Sequence, residues 1–217
     1  MTIQGTSASA REPAWRGLGR LLFSLALAAG LWLPVVHLFF RPSSASLPAA
    51  TGLTPEAKAL AAAHLAIWAD PELRDRELDR MRGRNPEWDF MSRTFLVLAL
   101  ANMAERDPAY RATAETVLDA ILEQTLAVER DRGFAHFLLD YGRKGGGQAQ
   151  PPGSLFVDGE IALMLGVRRL LSEKAAYRPL LAERIERIER RLEASPVLCG
   201  ESYPDECWLF CNTVALA

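Results

Sequence analysis

Cysteine and histidine are scarce in this chain of 217 residues, with three of each. Neither sign of charge dominates: 25 lysines and arginines face 27 aspartates and glutamates, for a formal net charge of -2. That balance removes the basic stripe on which nucleic-acid binding depends. Cys199, Cys207 and Cys211 follow a spacing that matches no usual zinc site. The glycine run Gly145-Gly146-Gly147 lacks P-loop spacing and reads as a flexible loop. The alternating pattern of strands is missing too, which leaves an all-α class. Apolar residues are plentiful at 49%, enough for a globular core.

Leu21 to Phe40 carries no formal charge at neutral pH and matches the roughly 20 residues that cross a bilayer. Pro34 is tolerable in such a helix. Arg11, Arg16 and Arg20 precede the run against one acid, Glu12, and Arg41 follows it. The positive-inside rule then keeps the N-terminus in the cytoplasm and sends the main domain outward. A cleaved signal peptide is the rival reading, since Ser43-Ser44-Ala45 resembles a cleavage site, but an apolar region of this length is long for one. The expected organisation is a cytoplasmic tail (1–20), a transmembrane helix (21–40), a flexible Pro/Ser/Ala tether (41–53) and a helical domain (54–217).

Within 54–217, two kinds of helical pattern alternate. Thr54-Pro55 opens a helix by an N-cap followed by proline. Phe95 to Ala104 is apolar nearly all round and predicts a helix buried on every side. Asp107-Pro108 starts an amphipathic helix with a stripe through Ala114, Val117, Leu118, Ile121, Leu122 and Leu126. Ile161 to Leu171 is apolar again. The next helix is amphipathic, with Leu181, Ile185, Ile188 and Leu192 facing in and Glu183/Arg187 and Glu186/Arg190 pairs facing out. Trp208 to Ala217 is a third apolar helix, and the chain ends inside it with no cap, so the sequence predicts a domain truncated at its C-terminus. Ala109-Tyr110-Arg111 and Ala176-Tyr177-Arg178 echo one another at matching places. Buried and amphipathic helices in alternation predict stacked hairpins, and an incomplete (α/α)6 toroid; an open solenoid is the alternative.

Each apolar helix is entered through acids and an aromatic: Glu87-Trp88-Asp89, Phe156-Val157-Asp158-Gly159-Glu160, and Tyr203-Pro204-Asp205-Glu206-Cys207-Trp208. In a ring of hairpins these starts meet on one face, and Asp89, Asp158, Glu160, Tyr203, Asp205 and Cys211 share a pocket. Acids also favour helix N-termini through capping and the macrodipole, so a single acid there carries no function by itself. Carboxylates, a phenol and a thiol are the groups of proton transfer and nucleophilic chemistry. Cys207 and Cys211, at i,i+4, face one side of a helix, and a disulfide is open to these cysteines outside the cytoplasm. His64 reads as packing, and His136 as a residue of the funnel edge.

The run Tyr203-Pro204-Asp205 … Cys211-Asn212-Thr213-Val214-Ala215, with Gly159-Glu160-Ile161-Ala162-Leu163-Met164 and Asp107-Pro108 before it, resembles the linalool dehydratase/isomerase family over roughly Trp88 to Ala217. The resemblance implies an (α/α)6 barrel outside the cytoplasm, no metal and no organic cofactor, and acid/base chemistry on an allylic alcohol (linalool to myrcene or geraniol). Cys211-Asn212 matches the family's second catalytic cysteine and its asparagine. The first cysteine falls on Ser202, with Cys199 three residues early, and the catalytic histidine falls on Glu160. These departures put a monoterpene substrate in question. The expectation is a lyase or isomerase in which Glu160, Cys211 and Asp205 move protons, while Tyr203, Asp89, Asp158, Trp208 and Asn212 bind a small alcohol or terpenoid-like substrate. An oligomer is left open. A carbohydrate-active toroid working through paired carboxylates and a non-catalytic envelope scaffold are the alternatives.

Overall fold

A computed structural model describes residues 14–40, 52–144 and 153–217. The glycine loop, residues 41–51 of the expected tether and most of the expected tail lie outside the described residues. The chain divides into two compact units, Met1–Leu47 and Pro48–Ala217.

The first unit contains α1 (Ala14–Phe39), with Pro34 inside it. It starts at Ala14 rather than Leu21, because Trp15, Arg16 and Arg20 continue the helix without a break. From Trp15 to Phe39 it is long and apolar enough to cross a membrane, and none of it is buried.

The second unit is all helical among the described residues. α2 (Pro55–Ala69), α3 (Pro71–Arg84) and α4 (Pro86–Arg106) open alike, with a polar cap and then proline. Thr54 Oγ1 accepts from Ala57 N at 3.2 Å, Asp70 Oδ1 from Glu72 N at 3.0 Å, and Asn85 Oδ1 from Glu87 N at 2.8 Å. Each cap satisfies a backbone donor that the first turn leaves free, and proline has no donor to lose. Asp107-Pro108 repeats the signal through a short 3-10 turn into α5 (Arg111–Arg132). There follow α6 (Asp140–Lys144), α7 (Leu155–Leu171), α8 (Tyr177–Ala194) and α9 (Leu209–Leu216).

α7 is the hub, packing against α4, α5, α8 and α9. Phe90 stacks on Phe137 at 4.4 Å and meets Phe156 edge-on at 5.3 Å. Leu100, Leu118, Ile121, Leu122 and Met164 complete a core fully removed from solvent. α9 comes close to α7 because Gly159 has no side chain; a Cβ there would lie 3.3 Å from Cβ of Ala215.

Two expectations need correction. α4 is not buried on every side: Phe95 is 58% exposed and lines an apolar groove with Leu60 and His64 of α2. The α8 stripe does not all face in. Of Leu181, Ile185, Ile188 and Leu192 only Ile188 is buried, beside Tyr177, Arg184 and Arg191. Ile185 and Leu192 line a groove of about 410 Å³ with Leu163, Leu170 and Val214. The helix is turned so that two arginines, not two leucines, meet α7.

Candidate functional site

The loop between α8 and α9 is tied at several points. Cys199 and Cys207 form a disulfide across a Cα–Cα distance of 6.3 Å. Between them Tyr203-Pro204-Asp205-Glu206 makes a tight turn, closed by Glu206 N on Tyr203 O at 3.0 Å. Asp205 takes the left-handed position, φ 62, which aspartate tolerates better than most residues. The Asn212 amide clamps Gly200 from both sides, accepting from its N at 2.8 Å and donating to its O at 3.0 Å. The start of α7 is stitched to the same loop. Leu155 N donates to Glu201 O at 2.8 Å, and Ser154 Oγ to Ser202 O at 2.6 Å.

Tyr203 is the pivot of this region. Its ring lies between Tyr141 and Trp208, with centroids 4.9 and 5.2 Å away. Its hydroxyl donates to Glu87 Oε1 at 2.6 Å and accepts from Leu139 N at 2.9 Å. Burial, and then the Glu87 carboxylate, hold the phenol well above its ordinary range. The first turn of α4 and the approach to α9 are thereby joined.

Beside them lies a buried cluster without a cation. Glu160 is 1% exposed and Cys211 2%. Burial raises the Glu160 carboxyl above its usual range; the Thr94 hydroxyl, close by, opposes the rise. Burial also raises the Cys211 thiol; Ser202 opposes this, and the Glu160 and Glu87 carboxylates add to it. Glu160 Oε2, Thr94 Oγ1 and Ser202 Oγ are buried with no hydrogen-bond partner. Orphaned polar atoms in a core are expensive and uncommon. These three atoms lie around Glu160 and Cys211, so a carboxyl, a thiol and two hydroxyls share one buried site. Cys211 is the one free cysteine.

The other expected site residues are placed elsewhere or are already occupied. Asp89 is buried, but its Oδ1 accepts from Arg93 Nε at 2.8 Å. Arg93 in turn binds Gln124 and Thr125, so Asp89 is held in an ion pair rather than presented to a ligand. Asp158 points away from Glu160, into arginines of α8. Two residues along a helix is more than half a turn, so the two acids cannot share a face. Asp205 is exposed and serves the backbone of its turn. Trp208, 36% exposed, donates from Nε1 to Glu206 Oε2 at 2.8 Å. Asn212 spends its amide on the loop. Cys207 is in the disulfide, so it does not pair with Cys211, and Cys199 is likewise oxidised. His136 is held neutral: burial, and then Arg82, Arg132 and Arg143, lower it to about 4.

Glu87, Thr94 and the arginines of α8 are the residues that sequence reasoning missed. Arg184, Arg187 and Arg191 recur at i, i+3 and i+7, a one-faced stripe that was visible in the sequence. Thr94 carries no local signal, and Glu87 stood out only as one of the acids in the first turn of its helix. Among the described residues no group of three or more His, Cys, Asp or Glu side chains is placed to hold a metal ion. No family model, curated protein or solved structure matches this chain.

Proposed function

We propose that this chain is a membrane-anchored, linalool dehydratase/isomerase-like protein whose helical unit dehydrates or isomerises a small alcohol by acid/base chemistry. The observation that carries the reading is Glu160, buried, without a cation, its Oε2 unpartnered beside the free Cys211 thiol. A carboxyl kept protonated by a dry site is a general acid at neutral pH. Glu160 gives its proton to the substrate hydroxyl, the C–O bond breaks and water leaves. The carboxylate so formed takes a proton from the adjacent carbon, whose C–H pair becomes the new C=C bond, and the acid is restored. Cys211, a neutral thiol, donates a hydrogen bond rather than acting as the base. Asp205 takes no part, and Tyr203 with Glu87 positions the loop. Both groups are covered in this conformation, so turnover requires local opening of the fold.

Arg11, Arg16 and Arg20 ahead of the apolar run Leu21 to Phe40, against the single Arg41 after it, support an N-terminus in the cytoplasm and a helical unit outside. The Cys199–Cys207 disulfide suits that compartment.

The test is turnover of short allylic and tertiary alcohols by the full chain in detergent micelles, with the alkene or rearranged alcohol read by mass spectrometry. Glu160→Gln abolishes turnover and Cys211→Ala reduces it, with far-UV circular dichroism unchanged. Undiminished turnover in Glu160→Gln, or none from the parent chain, removes the reading; in the second case a scaffold takes its place.

A carbohydrate-active role is the second reading, favoured by Trp88 at 57% exposure and by the partly exposed Trp208. Quenching of their fluorescence by a soluble oligosaccharide, with release of reducing ends, supports it; the ion-pairing of Asp158 weighs against it.

A further inference from the structure

α9 hides little of its apolar surface: within it only Cys211 and Asn212 are buried. Leu209, Thr213 and Leu216, at i, i+4 and i+7, form a row on the opposite side, all of them exposed, with Phe210 beside them. The Thr213 hydroxyl already donates to Leu209 O at 2.9 Å, so the row presents carbon rather than an unmet polar group. Next to this ridge runs the groove of about 410 Å³ between α7 and α8. Leu163 and Leu170 line one wall, Ile185 and Leu192 the other, and Leu216 lies along its edge. Glu189 is the sole charged residue of the lining. Gly166 leaves the middle open, since a Cβ there would meet nothing within 4 Å.

Ridge and groove match in length as well as in chemistry. Leu209–Leu216 of α9, and Ala162 to Leu170 along α7, each span about 12 Å at the helical rise. A rotation of 180° about an axis between them lays each ridge over the groove of a second copy, the self-complementary form of a two-fold contact. Leu170 and Leu209 are 84% and 82% exposed, and Phe210, Leu216 and Ile185 are exposed too. Such side chains hold on the order of 100 Å² of open surface each. Doubled across the axis, these five reach the roughly 1,000 Å² that a specific interface needs, and apolar patches of this extent are rare on monomers. A bilayer suits the face less well. From Val197 to Ala217 the chain has three acids, Glu201, Asp205 and Glu206, and no lysine or arginine, whereas helices that lie on membranes carry cations on their polar side.

We propose that the protein pairs with a second copy of itself, the α9 ridge of each chain seated in the α7–α8 groove of the other. Thr213, in the middle of the ridge, then lies over Gly166, in the middle of the groove. Cys211 stays on the inner, buried side of α9, so the pairing is independent of Glu160 and of the alcohol chemistry.

The experiment is sedimentation of the full chain in detergent micelles over a dilution series. The parent sediments as a dimer that dissociates on dilution. Gly166→Leu fills the groove and Leu209→Glu charges the ridge, and each raises the dissociation constant by about tenfold or more, with far-UV circular dichroism unchanged. Leu60→Glu, in the separate groove between α2 and α4, leaves it unchanged. Under a mild oxidant, chains carrying Gly166→Cys cross-link to chains carrying Thr213→Cys faster than either kind cross-links to itself. A monomer at every concentration overturns the proposal, and so does a mixture that cross-links no faster than its components. A dimer that both Gly166→Leu and Leu209→Glu leave intact overturns it too, and assigns the contact to α1. Quenching of a bimane on Thr213→Cys by brominated phosphatidylcholine vesicles assigns the ridge to the bilayer instead.

Discussion

Asp158 and Glu160 stand two residues apart on α7 and are equally hidden, 2% and 1% exposed, yet their surroundings are opposite. Asp158 meets three guanidiniums from α8. Glu160 faces Thr94 and Cys211 and meets no cation. Burial alone therefore does not tell what a carboxylate is for. One is the counter-charge shared by an arginine cluster. The other is a carboxyl that burial raises above its usual range. The helical period separates them: two positions along α7 are rotated by about 200°, so the two acids look into different halves of the helical unit.

Substitutions that treat the two acids alike should give unlike results. Asp158→Asn leaves the arginines without their shared partner and should cost about 3–5 kcal/mol, the usual result of breaking a buried ion pair, measured by urea unfolding. A loss below about 1 kcal/mol would place the cluster among surface ion pairs. On the Glu160 side, Cys199→Ser opens the loop that carries Ser202 and Tyr203. A loop this short predicts a loss of roughly 2.5 kcal/mol. Alkylation under native conditions should then find the exposed Cys207, while the buried Cys211 stays protected. Tyr203→Phe removes the bond to the Glu87 carboxylate and should cost about 1.5–3 kcal/mol, as bonds to charged groups do, again by denaturant titration.

Glu160→Gln should show the smallest change at low pH and a growing one above it. The folded chain holds a proton on Glu160 that the unfolded chain releases around 4.5. The parent therefore loses stability as pH rises from about 4.5 through the raised folded value. The glutamine variant has no such slope, so it gains on the parent across that window and runs parallel to it below. Parallel curves at every pH would mean that Glu160 is solvated and ordinary.

The alternation of core and flanking helices was readable because α4, α5 and α7 keep their apolar periods, and because Thr54-Pro55 and Asp107-Pro108 mark where α2 and the turn into α5 begin. α3 went unread although Asp70-Pro71 carries the same signal. Its fourteen residues are dominated by charge and bury only Leu78, so no hydrophobic period announces it. Glu160 and Cys211 were legible as neighbours through the ring of hairpins and the resemblance together, since nothing local brings residues fifty positions apart together. Asp158 was misplaced because its partners lie on α8, and an arginine that meets an acid of another helix looks, in sequence, like one facing water.

The nearness of α9 to α7 comes down to Gly159 against Ala215. A single methyl at that crossing would act as a shim, prising the thiol of Cys211 away from the carboxyl of Glu160 by a few tenths of an ångström while leaving both groups intact. The spacing of the buried pair is thus set from a position with no side chain of its own.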